Sequence, residues 1–392
     1  MISLSQTHIQ KLFFFFTVFL TSSLSAVHAP VVSINNTADG MHVQTPYGSF
    51  TCTEPILHDL VTCPAMQRLI NIHQYGPSHY VKAKTLYANG NNYTRFDHSI
   101  CLWAMYRLKG RPLADQISAL LHDISHTAFS HVADFLFHGN KKSGCSYQDD
   151  ILNRFLIDHE VATILKKYNF QLDDICQKPF LDRIDYTLVG GLLAGKITDQ
   201  ELTEVFADLD FHNADAKTSK EFWYFKTVKS AQRLVTLYLE TIKINMSAPW
   251  NTVVYEYTKH ALERAFQIGI IKENDFTYAM SDDDVWTRLT HSNDQVIKQC
   301  MDIVINHEAY IENAAKNTEP LCINKQSCTI VSPKFRELDL LVKIGDDYVS
   351  LLEIDYGTRQ NYNSARCKIE TGWLIDLANF TLPIRCYVLN GH

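Results

Sequence analysis

The sequence predicts a mostly α-helical protein with a smaller α+β part toward its C-terminal end. Between residues 55 and 290, apolar residues recur at helical spacing, and proline, glycine or acidic residues stand where helices begin or end. From residue 326 onward, apolar and polar residues alternate with the period of two that is typical of strands. The chain has 392 residues, of which 46% are hydrophobic and 20% charged, so it can bury the core of one large or two modest domains.

Three segments are predicted: residues 1–29, 30–245 and 246–392. In the first, Lys11 precedes the apolar run 12–20, and small residues follow it, which is the order found in a secretory signal peptide. The run is short for a membrane span, so we expect a secreted or periplasmic protein without a stable span after cleavage. Anchoring to the membrane by an uncleaved signal is the alternative. Residues 30–245 carry the candidate site, and 246–392 form a helical plus β-rich region.

The net charge and the cysteine content limit which partners and which cellular compartment we expect for this protein. The formal net charge of −7 provides no basic field for nucleic acid, so we expect no nucleic-acid partner. Homo-oligomerisation is compatible with the sequence. The ten cysteines lack the C-x-x-C spacing of zinc sites. In an oxidising compartment some should pair, and Cys322 with Cys328 would close the shortest local loop; buried free thiols are the other interpretation.

Individual helices begin at recognisable signals. Pro55 and Pro64 each open a helix, because proline is favoured in the first turn, and the second helix is expected to run to Gly76. Two helices joined at Gly110 are expected over 96–137. The other predicted helices are 157–163, one beginning near 180, 221–243, 253–268 and 281–289, and the predicted strands lie within 31–53, 329–331, 338–344, 348–352 and 384–389.

The chemistry is concentrated in the run Leu120–His131, where His122, Asp123, His126 and His131 interrupt a stretch of buried helical character. Burying so many titratable groups is costly unless they are paired or bind a metal. Imidazole and carboxylate are ligands for divalent cations such as Fe, Mn, Zn or Mg. At about 100° per residue, His122 and His126 share a helix face. His131 would point the opposite way, so the helix must break before it or His131 lies outside the site.

Two further motifs flank this run. Tyr93–Ser99 reads YTRFDHS upstream, and Asp182–Tyr186 reads DRIDY downstream. In order and residue type, the set resembles the H…HD…D signature of the HD phosphohydrolase superfamily. It is most similar to the deoxynucleoside triphosphate triphosphohydrolase branch, which includes the vertebrate SAM- and HD-domain enzyme. The resemblance extends from about residue 40 to 355 and is densest over 64–190, and it implies an HD-domain helical core.

The resemblance implies four metal ligands: His98, His122, Asp123 and Asp182. For the last position Asp185, one helical turn further on, is the alternative. If Asp182 is the ligand, Asp185 is left to orient a histidine or to bind substrate. The implied cofactor is one divalent metal ion, with Fe, Mn, Zn and Mg all compatible with these ligands.

The implied catalytic residues are His126, His131 and His159, which match histidines on the phosphate side of the family's pocket, together with Asp123. A protonated imidazole stabilises phosphate and donates a proton to the leaving oxygen. We assign the general acid to His126 and contact with the α-phosphate to His131, which is the alternative acid. His159 has a second interpretation as a capping or core histidine.

The implied substrate-binding residues are Gln74, Arg95, Tyr186 and Asp185. In the family the matching glutamine faces the sugar, the tyrosine packs under it, and the arginine contacts phosphate and sugar, for which its planar fork is suited.

The chain departs from the family in two places. Gly190 stands where the family has an aspartate that contacts the sugar, and residues 77–94 form a longer loop without the usual turn. Both changes put selectivity for deoxynucleotides in question.

By resemblance, the predicted function is metal-dependent hydrolysis of a (deoxy)nucleoside triphosphate, with release of nucleoside and triphosphate. Two alternatives stay open: an HD hydrolase of another nucleotide or phosphoester, and a non-catalytic nucleotide-sensing protein. Because all four ligand positions are filled, the sequence favours an enzyme.

We expect the mature protein to begin near Val27 or Pro30, since the charged, apolar and small regions precede these residues in that order. N-terminal sequencing of protein from its native host, combined with cell fractionation, measures this. A soluble cytosolic protein that begins at Met1 would contradict it.

Overall fold

The computed structural model describes residues 31–81, 93–138, 146–172, 179–214, 220–307, 328–331, 335–371, 373–376 and 387–388. The predicted signal peptide, most of the 77–94 loop and Cys322 lie outside the described residues. Within the described residues helices dominate and three small sheets accompany them, which confirms the predicted fold class. No helix in these ranges is long and apolar enough to cross a membrane.

The helices follow one another from residue 55 to residue 305 and resume after residue 350. Their bounds are α1 (Pro55–Thr62), α2 (Pro64–Arg68), α3 (Arg95–Leu108), α4 (Leu113–Leu121), α5 (Tyr147–Asp158), α6 (Val161–Lys167), α7 (Asp182–Leu193), α8 (Asp199–Asp208), α9 (Val228–Ile244), α10 (Pro249–Gln267), α11 (Glu273–Tyr278), α12 (Asp282–Thr290), α13 (Gln295–Ile305), α14 (Leu351–Ile354) and α15 (Tyr356–Thr371). Single 3-10 turns at Leu69–Asn71 and Gly76–Tyr80 and a π turn at Asp134–His138 connect some of them.

The strands form three separate sheets. Their bounds are β1 (Ser33–Thr37), β2 (Gly40–Thr45), β3 (Gly48–Cys52), β4 (Leu209–His212), β5 (Phe222–Phe225), β6 (Cys328–Val331), β7 (Leu341–Ile344), β8 (Asp347–Ser350), β9 (Trp373–Asp376) and β10 (Tyr387–Val388). The spatial orders are β1-β2-β3, β4-β5-β7-β8 and β10-β9-β6. The β5–β7 pair is parallel and aligns Tyr224 with Leu341. This pairing links residues on both sides of the predicted boundary at 245, and the division into segments stays a prediction.

The local helix signals were reliable, whereas helix lengths were not. Helices α1 and α2 begin at Pro55 and Pro64, as predicted. Helix α2 ends at Arg68, well short of Gly76, and α4 ends at Leu121, so the prediction of continuous helix to residue 137 was wrong. The predicted break before His131 is confirmed, although it comes earlier than the sequence indicated.

Two further segments correct the sequence prediction. Phe222–Phe225 is a strand within the predicted 221–243 helix, because its aromatic residues pair with β4 and β7. Leu351 begins a helix although the strand pattern extended to Leu352, and the C-terminal part also contains the long helix α15. Tertiary pairing overrides local propensity in such short segments.

Helix α3 lies at the centre of the core. Every residue from Arg95 to Tyr106 is buried, including Trp103 and His98 with no exposed surface. A capping box starts the helix: Asp97 N–H donates to Thr94 Oγ1 over 3.1 Å, and Thr94 N–H donates to Asp97 Oδ2 over 2.9 Å. This cap fixes where the polar residues of α3 enter the apolar core.

A buried carboxylate ties the later helices to this core. Asp282, the first residue of α12, has no exposed surface. Its Oδ1 accepts a hydrogen bond from Phe129 N–H over 2.6 Å, and its Oδ2 accepts one from His73 N–H over 2.9 Å. The side chain therefore joins three segments that are distant in sequence.

We expect Asp282→Asn to lower the free energy of unfolding by about 1–3 kcal/mol, because the amide group leaves one buried N–H without an acceptor. Urea denaturation measures the change. Asp283→Asn is the matched control, since Asp283 is exposed and its amide oxygen can still accept the hydrogen bond of Tyr80. Equal stabilities of the two variants would contradict the assigned role.

Candidate metal centre

Three of the four predicted metal ligands meet in one place, and the fourth, Asp182, lies beside them. One ligand atom from each of His98, His122 and Asp123 lies within 4.8 Å of the others. The two histidine Nε2 atoms are 3.2 Å apart, and Asp123 Oδ2 lies 3.6 Å from His98 Nε2 and 3.4 Å from His122 Nε2. Asp182 Oδ1 lies beside this group, 3.1 Å from His98 Nε2 and 4.0 Å from His122 Nε2.

Helix ends bring these side chains together. His98 lies in the first turns of α3, behind the capping box. His122 follows the last residue of α4, so the chain turns there and Asp123 leaves the helix. Asp182 is the first residue of α7. A helix end frees the backbone to turn, which lets ligands from three elements point at a common centre.

Both histidines are oriented as metal-ligating histidines are. His98 Nδ1 is 2.5 Å from Asp185 Oδ2, and His122 Nδ1 is 2.8 Å from the carbonyl oxygen of Ala119. Because a carboxylate and a carbonyl only accept, each Nδ1 carries the proton and each Nε2 can present its lone pair to the cluster. Two imidazole nitrogens with two carboxylates form a donor set that suits Fe, Mn or Zn, so the residues fit a divalent cation.

Asp185 accepts hydrogen bonds from other buried side chains of the site, and this role differs from its predicted contact with substrate. It has no exposed surface, its Oδ1 accepts from Tyr47 over 2.7 Å, and its Oδ2 accepts from Tyr93 over 2.8 Å as well as from His98. With both oxygens occupied inside the protein, direct substrate binding finds no support. The geometry matches the other interpretation, in which Asp185 orients a histidine. Tyr47 and Tyr93 were not identified from the sequence, because their partner is remote in the chain.

The charges around Asp123 keep it ionised. Burial raises the pKa of this carboxyl, but His122, Arg95 and the neighbouring histidines outweigh burial and hold the pKa well below its usual range. Arg95 Nη1 donates to Asp123 Oδ2 over 2.6 Å, and Gln148 Nε2 donates to Oδ1 over 2.9 Å. Gln148 is another residue that the motifs did not indicate.

The negative charge of the cluster favours a cation. Burial lowers the pKa of His98, but its hydrogen bonds with Asp182 and Asp185 outweigh burial and raise the pKa to about 10. In the site without metal, this raised pKa keeps a second proton on the His98 imidazole. A metal ion would take the place of that proton, so metal binding is expected to release it.

Arg95 does not have a free guanidinium. Besides the Asp123 pair, its Nε donates to Ser130 Oγ over 3.1 Å and its Nη2 donates to the Gln74 carbonyl oxygen over 3.3 Å. The side chain is 3% exposed. Its predicted contact with phosphate therefore finds no support in this arrangement, and Arg95 instead holds the ligand Asp123.

A strained turn places the next two histidines. Phe129 and Ser130 have φ of 57° and 52°, a region that residues other than glycine rarely adopt. The Asp282 hydrogen bond supports Phe129, and Arg68 Nη2 donates to the carbonyl oxygens of Ile124 and His126 over 3.1 and 2.6 Å. Such strain persists only where surrounding contacts hold it.

His126 and His131 lie together beside the cluster, with ring centroids 4.9 Å apart. His126 Nε2 is 3.4 Å from Asp123 Oδ1 and forms no hydrogen bond within the part of the chain that the structure describes. Burial and the charge of Arg95 hold the pKa of His126 well below its usual range, so its imidazole is neutral until a negative ligand raises that pKa. His131 Nδ1 is 3.2 Å from Asp134 Oδ2, and its Nε2 accepts from Arg336 over 2.9 Å.

His159 makes contacts of a different kind. It follows the last residue of α5, where its Nδ1 donates to the Phe155 carbonyl oxygen over 3.1 Å and its ring stacks on Phe155. The next residue, Glu160, has a φ of 62° and interrupts the predicted 157–163 helix. These contacts fit the capping interpretation, and the predicted catalytic role of His159 finds no support in them.

The predicted sugar side of the site contains buried polar atoms. Gln74 Oε1 has no hydrogen bond within the described residues, and the buried Tyr186 hydroxyl has the Arg336 guanidinium as its neighbour. At Gly190, an added Cβ would lie 2.6 Å from the Tyr75 hydroxyl oxygen. Tyr75 therefore takes the space in which a larger residue at position 190 would place its side chain.

Known proteins resemble this chain in sequence and in fold. No family model matches the sequence. Uncharacterized protein YdhJ of Bacillus subtilis is 28% identical over 233 residues, which is 56% of this chain and 67% of that protein. Metal-dependent phosphohydrolase cns2 of Cordyceps militaris is 28% identical over 255 residues, which is 62% of this chain and 71% of that protein.

Solved structures share the fold across most of the chain. A phosphohydrolase from Bacteroides thetaiotaomicron superposes with a TM-score of 0.54 at 17% identity, covering 86% of this chain and 98% of that one. A hypothetical protein from Aquifex aeolicus superposes with a TM-score of 0.55 at 14% identity, covering 86% and 99%. The shared fold, the metal-dependent relative and the His/Asp cluster together support the HD-domain phosphohydrolase superfamily. The same observations support a hydrolase that uses a divalent metal.

We expect Asp123→Asn to lose the bound metal while the helical fold is retained, because the carboxylate supplies ligand charge and its packing volume is unchanged by the substitution. Elemental analysis and far-UV circular dichroism measure both properties. Asp185→Asn should still bind metal, with affinity about 10–100-fold lower, because it changes only the orienting shell.

Asp115→Asn on α4 is the matched control and should bind metal normally, since this carboxylate pairs with Arg111 away from the cluster. Wild-type metal content in Asp123→Asn would show that the cluster does not use this ligand.

Proposed function

We propose that this protein is an HD-type, metal-dependent phosphohydrolase that acts on (deoxy)nucleoside triphosphates and releases nucleoside and triphosphate. The observation that carries the proposal is the convergence of two Nδ1-anchored histidines with two aspartates, beside two further histidines on a strained turn. The name of the Cordyceps militaris relative, a metal-dependent phosphohydrolase, supports the reaction class. The nucleotide as substrate rests on the motif resemblance.

The residues of the site have different roles in the proposed reaction. His98, His122, Asp123 and Asp182 would hold a divalent metal, which would supply Lewis acidity and a nucleophile at neutral pH. His126 is positioned to donate a proton to the leaving oxygen once phosphate charge raises its pKa. His131 faces the same region and contributes a second imidazole for the phosphate, with Asp134 fixing its orientation.

Gln74 and Tyr186 provide the sugar side. The buried Gln74 Oε1 and the Tyr186 hydroxyl would form hydrogen bonds with sugar hydroxyl groups, which is how a buried site selects a substrate. Because Gly190 supplies no side chain, the family's aspartate contact is missing, and the Tyr75 hydroxyl stands near its place. This difference favours weaker discrimination between sugars, and it also leaves room for another nucleotide or phosphoester as substrate.

The proposed location is outside the cytoplasm, in keeping with the signal-peptide pattern of residues 1–29. An exported hydrolase would meet substrates outside the cell or in the periplasm. This proposal rests on the sequence pattern alone.

The proposal predicts that purified, metal-loaded protein converts nucleoside triphosphates to nucleoside and triphosphate, whereas Asp123→Asn does so only at background rate. Product analysis by chromatography across matched dNTP and NTP pairs measures the reaction. Release of orthophosphate or pyrophosphate would contradict the proposed bond cleavage, and absence of turnover over the whole panel would contradict the substrate class.

The same panel tests selectivity. Loss of one sugar contact is worth about 1–3 kcal/mol, or roughly a tenfold to hundredfold loss of discrimination. We therefore expect the ratio of kcat/KM for dNTP over NTP to stay below about 10⁴. A larger ratio would show that another group has replaced the aspartate.

A further inference from the structure

The C-terminal part of the chain delivers an arginine to the candidate site. Arg336 lies just before β7, in a stretch that is held against α9 and α15. Its carbonyl oxygen accepts a hydrogen bond from the Tyr238 hydroxyl, and two residues later Leu338 N–H donates to the Tyr362 hydroxyl over 2.7 Å. The ring of Phe335 packs edge-on against the ring of Tyr362, with centroids 5.2 Å apart. The backbone that carries Arg336 is therefore fixed in place.

The guanidinium of Arg336 points at the phosphate side of the site. Its Nη2 donates to His131 Nε2 over 2.9 Å. Burial raises the pKa of the Tyr186 hydroxyl, and the charge of Arg336 lowers it. The net effect is a pKa raised to about 12. Arg336 therefore stands between His131 and Tyr186, two residues that the motif resemblance places around the substrate.

The charge of Arg336 has no carboxylate within ion-pair distance among the described residues. Burial lowers the pKa of Arg336, but Tyr186, Asp182 and Asp134 outweigh burial and raise it. The hydrogen bond to the His131 imidazole and the neighbouring Tyr186 hydroxyl leave further guanidinium donors unused. Arg336 is partly buried, and a partly desolvated guanidinium with spare donors is suited to an anionic ligand.

Arg95 cannot take that role in this arrangement. Its donors are engaged by Asp123, Ser130 and the Gln74 carbonyl oxygen. Of these two arginines at the site, Arg95 is paired with a carboxylate, whereas Arg336 has none within ion-pair distance among the described residues. Its surroundings add His126 Nε2, which has no hydrogen bond within the described residues and is suited to another oxygen of a phosphate chain.

We propose that Arg336 binds the phosphate chain of the substrate, so that the C-terminal part completes a site otherwise built by residues 47–190. The proposal rests on the proposed function, since it assigns a residue to the phosphate side of that site. The opposing explanation is that Arg336 only holds His131 in position. The two explanations differ in what remains when His131 is removed.

The test measures the affinity of inorganic triphosphate by calorimetry for the metal-loaded, full-length protein. We expect Arg336→Gln to weaken binding about ten- to a hundredfold, because charged hydrogen bonds are lost. Arg336→Lys should weaken it several-fold, since it retains charge but loses the planar fork. Arg359→Gln is the matched control: it lies on α15, is exposed and has its guanidinium over the ring of Tyr356, and the variant should bind triphosphate normally.

A second comparison separates contact from positioning. If Arg336 binds phosphate itself, the double variant His131→Gln with Arg336→Gln binds triphosphate more weakly than His131→Gln alone. Equal affinity of these two variants would overturn the proposal, as would wild-type affinity in Arg336→Gln or Arg336→Lys. Metal content, measured alongside, should be unchanged by each Arg336 substitution.

Measuring triphosphate binding also separates the test of the Arg336 assignment from the test of the proposed reaction. If no nucleotide is turned over but triphosphate binds through Arg336, the proposed reaction fails and the arginine assignment stands. If nucleotides are turned over and the Arg336 variants have unchanged KM and triphosphate affinity, the reaction stands and the assignment fails.

Discussion

The hydrogen bond between His98 Nδ1 and Asp185 Oδ2 joins the parts of the chain on which the site depends. His98 comes from α3, Asp185 from α7, and Tyr47, which also donates to Asp185, from the turn between β2 and β3. Because all three side chains are buried, each polar atom must find its partner within the protein. The small N-terminal sheet thus contributes to the geometry of the candidate metal centre through Tyr47.

The same requirement shapes the turn after α4. The helix ends at Leu121, and the chain then carries three histidines and one aspartate through a tight, strained path. Arg68 holds the carbonyl oxygens of this path, and Asp282 holds the N–H of Phe129. These two side chains come from opposite ends of the described helical region. The turn is therefore specified by long-range hydrogen bonds, and its own residue preferences oppose it.

The arrangement of charges explains how the site can be both buried and ready for a ligand. Arg95 is used inside the protein to hold Asp123, whereas Arg336 enters from the C-terminal part without a carboxylate within ion-pair distance among the described residues. Arg95 stabilises the carboxylate of the candidate metal centre, and Arg336 brings a positive charge to His131. Under the proposed function, this arrangement would place a cation site and an anion site next to each other, as hydrolysis of a phosphate ester with a metal ion requires.

The sequence by itself determined the residue types and order of the candidate ligands, the starts of several helices and the mostly α fold. These features are local: a capping box, a proline in a first turn or a motif of seven residues is complete within one or two helical turns. Tertiary structure alone decided that Asp185 supports His98, that Arg95 is already occupied, that Phe222–Phe225 joins a parallel pair with β7, and that Arg336 reaches His131. Each of these depends on contacts between residues that are distant in the chain, and no local pattern encodes which distant partner a buried charge will meet.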